Sequence, residues 1–76
     1  MKKELKLEIF LKKSELRKEV WERLNKAKTA TEIAKELRKH RSAISRVLLD
    51  MKKEGFVKCV NSEDKNFRHY VKRERF

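Results

Sequence analysis

The segment from Thr29 to Gly55 carries its own start and stop signals, and it constrains the fold more than any other part of the chain. Thr29-Ala-Thr-Glu32 reads as a capping box. The Thr29 hydroxyl can accept from the Glu32 amide while the Glu32 carboxylate reaches back to the Thr29 amide. A short helix from Ala30 to about Leu37 follows, with Ile33, Ala34 and Leu37 on its apolar face. Arg38-Lys39-His40 then breaks the pattern. A longer helix is expected from about Arg41 to Glu54, because Ile44, Val47, Leu48 and Met51 recur at helical spacing. Gly55 stands where helices commonly end in a left-handed residue.

The flanks complete the pattern. Ser14 is a candidate N-cap for a helix running to about Lys26, with Leu16, Val20 and Leu24 spaced by four and Trp21 and Ala27 beside them. Phe56-Val-Lys-Cys-Val60 and Phe67-Arg-His-Tyr-Val71 are β-rich runs separated by the polar turn Asn61 to Asn66, which reads as a hairpin. Leu5, Leu7, Ile9 and Leu11 alternate with Lys6, Glu8 and Phe10. That period suits an extended arm over residues 1–13, although the same segment also permits a helical turn. The expected organisation is this arm, one α+β domain over 14–72, and a basic tail over 73–76.

Composition narrows the partners. The 76 residues suffice for one domain with a thin core. Lys and Arg number 23 against 12 Asp and Glu, a formal charge of +11. That excess attracts polyanions: nucleic acid or an anionic surface. A charged content of 46%, one Gly, no Pro and no Gln also fit a heat-adapted protein, but ion pairing for heat adds both signs and this sequence is unbalanced. No stretch is apolar enough to cross a membrane. The lysine-flanked amino terminus lacks a small-residue cleavage site. One cysteine forms no intrachain disulfide, which fits a reducing cytoplasm and, with the charge, a nucleoid location.

Two short helices, a tight turn and a longer helix place the long helix in a major groove when the partner is DNA. With Ile44 and Leu48 inward, Ser42, Arg46, Leu49 and Lys53 point outward and Ser45 lies at the flank. Arg46 suits bidentate contact with guanine, and Ser42 and Ser45 suit bases or phosphates. Arg41, with Arg38, Lys39 and His40 before it, can neutralise phosphates on either side of the groove. Thr29 and Thr31, at the start of the preceding helix, join the candidate DNA-binding set. Serines and arginines on helix faces are usually only solvated; position opposite a core stripe raises these above that reading.

The stretches TATEIAKEL, RSAISRVL and KKEGFVKC, in this order and spacing, resemble winged helix-turn-helix transcriptional regulators of the MarR/ArsR type, especially small archaeal ones. The likeness covers about Ser14 to Lys72. It implies a three-helix core followed by a β-hairpin wing, and sequence-specific binding of double-stranded DNA as a homodimer. It also implies base or phosphate contacts by Arg41, Ser42, Ser45 and Arg46, and a wing tip of Lys65, Asn66 and Arg68 on phosphates or in the minor groove. The sequence departs from the pattern at the turn, where the family usually has Gly-hydrophobic-Ser. Either Arg38 takes a positive φ at about 1–3 kcal/mol of strain or the turn is looser. Asn66 replaces the usual wing glycine. Leu49, commonly polar in the family, can touch a thymine methyl, a partner chain or the amino-terminal arm.

Other chemistries find little support. Cys59, His40 and His69 lack zinc spacing, and Cys59 reads as a small buried apolar group in a strand. No nucleophile–base pair, paired carboxylate or phosphate-binding glycine loop points to an enzyme, and no cofactor or small-molecule effector is implied. The competing expectations are a non-specific chromatin or RNA-binding protein, and a winged-helix adaptor that docks proteins through its apolar arm.

Overall fold

The computed structural model describes the backbone of residues 2–61, 63–64 and 67–73, and side chains from Leu5 onward within these. The fold is α+β. Its order is α1 (Lys2–Lys12), α2 (Glu15–Arg23), β1 (Lys28–Thr29), α3 (Ala30–Leu37), α4 (Arg41–Glu54), β2 (Val57–Cys59) and β3 (His69–Lys72). The strands form an antiparallel sheet in the order β1-β3-β2.

The amino-terminal segment corrects the sequence expectation: it is helix α1, not an extended arm. Leu7, Phe10 and Leu11 stand at i, i+3 and i+4, and this face packs on the core with Leu7 buried. Phe10 meets the Phe56 ring edge-on at 5.4 Å. Arg17 reinforces the contact, with its guanidinium 3.9 Å from the Phe10 ring centre and its Nη1 donating to the Phe10 carbonyl at 3.2 Å. The alternation is real in the sequence, but a strand would put Phe10 on the opposite face from Leu7 and Leu11, whereas a helix brings all three onto the core together. Leu5 and Ile9 are left on the solvent side.

Ser14 caps α2 as expected, its hydroxyl accepting from the Arg17 amide. The helix stops at Arg23 rather than near Lys26, because Leu24 leaves the helical region at φ −87°, ψ 44°. Leu24 is buried there and Ala27 is exposed, contrary to its expected place beside the stripe. The shortened helix frees Lys28 and Thr29 to pair with Tyr70 and His69. Trp21 is half-buried, with the Lys72 ammonium 4.7 Å from its ring centre.

Helices α3 and α4 have the expected bounds. The capping box is formed, with Thr29 N donating to Glu32 Oε1 at 2.8 Å and Glu32 N to Thr29 Oγ1 at 3.1 Å. Both helices end alike. At α4 the Gly55 amide bonds the Lys52 carbonyl and the Phe56 amide bonds that of Met51. At α3 the Arg38 amide bonds Lys35 and the Lys39 amide bonds Ala34. This paired arrangement needs a left-handed residue. Gly55 supplies it at φ 84°, and Arg38 at φ 55°, ψ 46°. Arg38 thus takes the strain, and the turn is not loosened.

Ile44, Val47, Leu48 and Met51 bury the inner face of α4 against Val20, Leu24, Ile33, Phe56 and Val57. The hairpin pairs Val57 with Lys72, Lys58 with Val71 and Cys59 with Tyr70. Its strands differ from the expected runs, β2 being trimmed to Val57–Cys59 and β3 moved on to His69–Lys72: Phe56 enters the core and Phe67 lies exposed outside β3. Asn61 organises the connection. Its Nδ2 donates to the Phe67 carbonyl at 2.8 Å, and its Oδ1 accepts from the His69 amide at 2.6 Å. Asp64 Oδ1 accepts from the Phe67 amide at 2.9 Å.

Candidate nucleic-acid interface

The core stripe of α4 dictates what its other face presents. With Ile44, Val47, Leu48 and Met51 inward, Arg41, Ser42, Arg46, Leu49 and Lys53 are exposed and Ser45 is half-buried. From Arg38 to Leu49 the sequence has four Lys or Arg, one His and no carboxylate. Among the described residues, the ion pairs use other cations. Arg17 meets Asp50 at 4.0 Å, and Lys28 and Arg23 meet Glu36 at 2.9 and 3.8 Å. No carboxylate among them lies within ion-pair reach of Arg41, Arg46 or Lys53.

Two shallow concavities share this face. One, of ≈ 380 Å³, is lined by Ser42, Ser45, Arg46, Leu49 and Asp50. The other, of ≈ 150 Å³, lies where α4 meets the start of α3 and the sheet, between Thr31, Arg41, Ser45, Leu49, Arg68 and Tyr70. Ser45 and Leu49 border both. Arg68 reaches its place from the hairpin, with Nε donating to the Asp64 carbonyl at 3.1 Å. Two guanidinium groups from distant parts of the chain thus flank one hollow, a surface suited to anionic oxygens.

The candidate residues divide on this map. Arg41, Ser45 and Arg68 come together around the smaller hollow, with Thr31 half-buried at its edge. Ser42 and Arg46 border the larger. Thr29 touches the smaller hollow but is buried, and its hydroxyl is occupied by the cap. Its role is to start α3. Lys39, His40 and Lys53 are exposed but border neither hollow. Lys65 and Asn66 lie outside the described residues, as do residues 74–76 of the expected tail. Asp50 and Tyr70 also border this surface and were not expected there. Asp50 stands four residues after Arg46, so helical spacing alone carries that signal; Tyr70 reaches it only through the sheet.

Glu32 is an acid tuned by this region. The Thr29 amide bond holds its carboxyl below the ordinary carboxylate value. Burial opposes that shift, while the Thr29 hydroxyl, His69 and Lys28 add to it. The His69 Nε2 lies 4.0 Å from Glu32 Oε1. Among the described residues no group of three or more His, Cys, Asp or Glu can hold a metal ion, and no helix is long and apolar enough to cross a membrane. Cys59 is half-buried, its Sγ 3.6 Å from Asn61 Oδ1.

Compared with protein families, with curated proteins and with solved structures, the chain has no significant match.

Proposed function

We propose that this chain is a winged helix-turn-helix protein that binds duplex DNA with sequence preference and acts as a transcriptional regulator. The observation that carries this reading is the outward face of α4. It presents Arg41 and Arg46 without carboxylate partners among the described residues, beside the Ser42 and Ser45 hydroxyls and opposite a buried stripe. In this reading α3 and α4 are the helix pair, α4 lies in the major groove, and the hairpin of β2 and β3 is the wing. Arg46 contacts guanine by two parallel hydrogen bonds. Arg41 and Arg68 neutralise phosphates on either side, with Lys39, His40 and the wing residues Lys65 and Asn66 adding to the phosphate contacts.

The protein acts as a homodimer in this reading. Leu5 and Ile9 of α1 are 58% and 49% exposed on a helix whose other face is packed, which supports a second copy there. Two copies set their α4 helices about 34 Å apart on a palindromic site.

Selection of bound sequences from a random duplex library, followed by salt titration, tests the reading. It expects a preferred site whose affinity falls steeply with salt. Arg46→Ala weakens binding to that site by roughly 1–3 kcal/mol and relaxes its preference. Equal binding to every duplex and to structured RNA overturns it in favour of non-specific packaging, a reading that the charge of +11 by itself also supports.

A further inference from the structure

Leu49 is 50% exposed where the two hollows meet, beside hydroxyl, guanidinium and carboxylate groups in the larger and with Ala30 and Tyr70 also lining the smaller. A single exposed leucine is ordinary. This one borders both hollows, between Ser45 and Arg46 on one side and Asp50 on the other. The amino-terminal segment, one candidate to cover it, is helix α1 packed on α2 instead. The large apolar side chains exposed on α1, Leu5 and Ile9, belong to that other helix. Of the apolar side chains described around the two hollows, Ala30 is small and half-buried and Tyr70 is buried, so Leu49 is the one large apolar side chain among them that stands exposed. A protein partner needs a broader apolar patch, whereas one methyl group in a polar groove fits it.

We infer that Leu49 is a specificity-determining residue that reads the 5-methyl group of a thymine in the major groove. The inference rests on the proposed DNA-binding role of α4. Thymine is the base that displays a methyl group in that groove. Along α4, Leu49 follows Ser45 and Arg46 by three to four residues, about 5 Å at the helical rise. That spans between one and two base-pair steps of about 3.4 Å. The thymine therefore lies within two base pairs of the guanine held by Arg46. Polar contacts fix the register, and Leu49 separates thymine from cytosine at its own position by apolar contact.

The test uses the full chain and the tightest duplex from a random library, with each thymine replaced in turn by deoxyuridine. This exchange removes one methyl and leaves the protein and the base pairing intact. Wild type is expected to lose about fourfold in affinity at one thymine, the value of one buried methyl. Leu49→Ala, at a half-exposed position outside the core, is expected to bind the thymine and deoxyuridine duplexes equally. Three results overturn the inference while leaving DNA binding intact: a preferred site without thymine near the Arg46 guanine, no thymine sensitive to the exchange, or a Leu49→Ala protein that keeps the discrimination. Failure to bind any duplex at low salt overturns the parent reading, and this inference with it.

Discussion

Arg38→Gly is expected to stabilise the protein. Arg38 occupies the position at the end of α3 that Gly55 occupies at the end of α4, with the same pair of backbone hydrogen bonds. A left-handed conformation costs a non-glycine residue about 1–2 kcal/mol. Glycine removes that cost but gives back about 0.4–1 kcal/mol through greater freedom in the unfolded chain. The net gain is about 0.8 kcal/mol, a rise in melting temperature of about 3–6 °C for a domain of this size. Removing a cation from a chain of charge +11 also relieves self-repulsion, so Arg38→Ala is the control. Alanine removes the same charge and keeps the strained backbone. The difference between the two variants in urea or thermal unfolding isolates the backbone contribution. Glycine no more stable than alanine at this position refutes the reasoning. Gly55→Ala supplies the opposite sign. A Cβ there meets only Arg73 Nη1 at 3.8 Å, an ordinary contact, so its expected loss of about 1 kcal/mol comes from the backbone alone.

The Lys28–Glu36 pair offers a second test. Lys28 is buried and its Nζ lies 2.9 Å from Glu36 Oε1. Breaking a fully buried pair costs about 3–5 kcal/mol, and the 34% exposure of Glu36 lowers this to roughly 1–2 kcal/mol for Glu36→Ala. Adding Lys28→Met should restore most of the loss in urea unfolding, since an apolar side chain needs no counter-ion. Thr29→Ala is expected to cost about 1 kcal/mol by uncapping α3, read as a lower unfolding midpoint. Glu32 makes the same cap sensitive to acid. Because folding lowers its pKa, its contribution is present above the unfolded value of about 4.3 and is lost as pH falls through the lower folded value. The stability gap between wild type and Glu32→Gln should therefore narrow as the pH falls below about 4.3 in thermal unfolding.

What could be read from the sequence was what local spacing determines. The capping box, the apolar stripe of α4 and the glycine stop depend on residues three to five apart, and all three are present. The outward face followed as the complement of that stripe. Features that depend on distant partners were hidden. Helix α1 carries both a period-two alternation and a Leu7, Phe10, Leu11 face, and packing against Phe56 decides between them. Strand β1 is two residues long and has no pattern of its own; it exists because β3 is there to pair with it. Burial of Lys28 could not be inferred without knowing that Glu36 lies beside it. Arg38 posed a choice between strain and a looser turn, and the hydrogen-bonded helix end fixes the strained form. Of the surface around α4, Arg68 was expected only as a wing-tip residue; its place beside Arg41, and the contribution of Tyr70, were invisible because the sheet brings them there.

The two-residue strand β1 gives that sheet a mechanical meaning. By pairing Lys28 and Thr29 with Tyr70 and His69, it splices the hairpin to the first residue of the α3 cap. The hairpin is therefore not a pendulum swinging on β2 alone. A tilt that lifts Arg68 away from Arg41 must first tear the β1 ladder and disturb the Thr29 cap. In the proposed DNA-binding role the two arginines are set in place before a phosphate arrives, so contact with one costs little ordering entropy. Phosphate contact and stability then share the same hydrogen bonds: a variant that loosens β1 is expected to weaken the contacts of both arginines together.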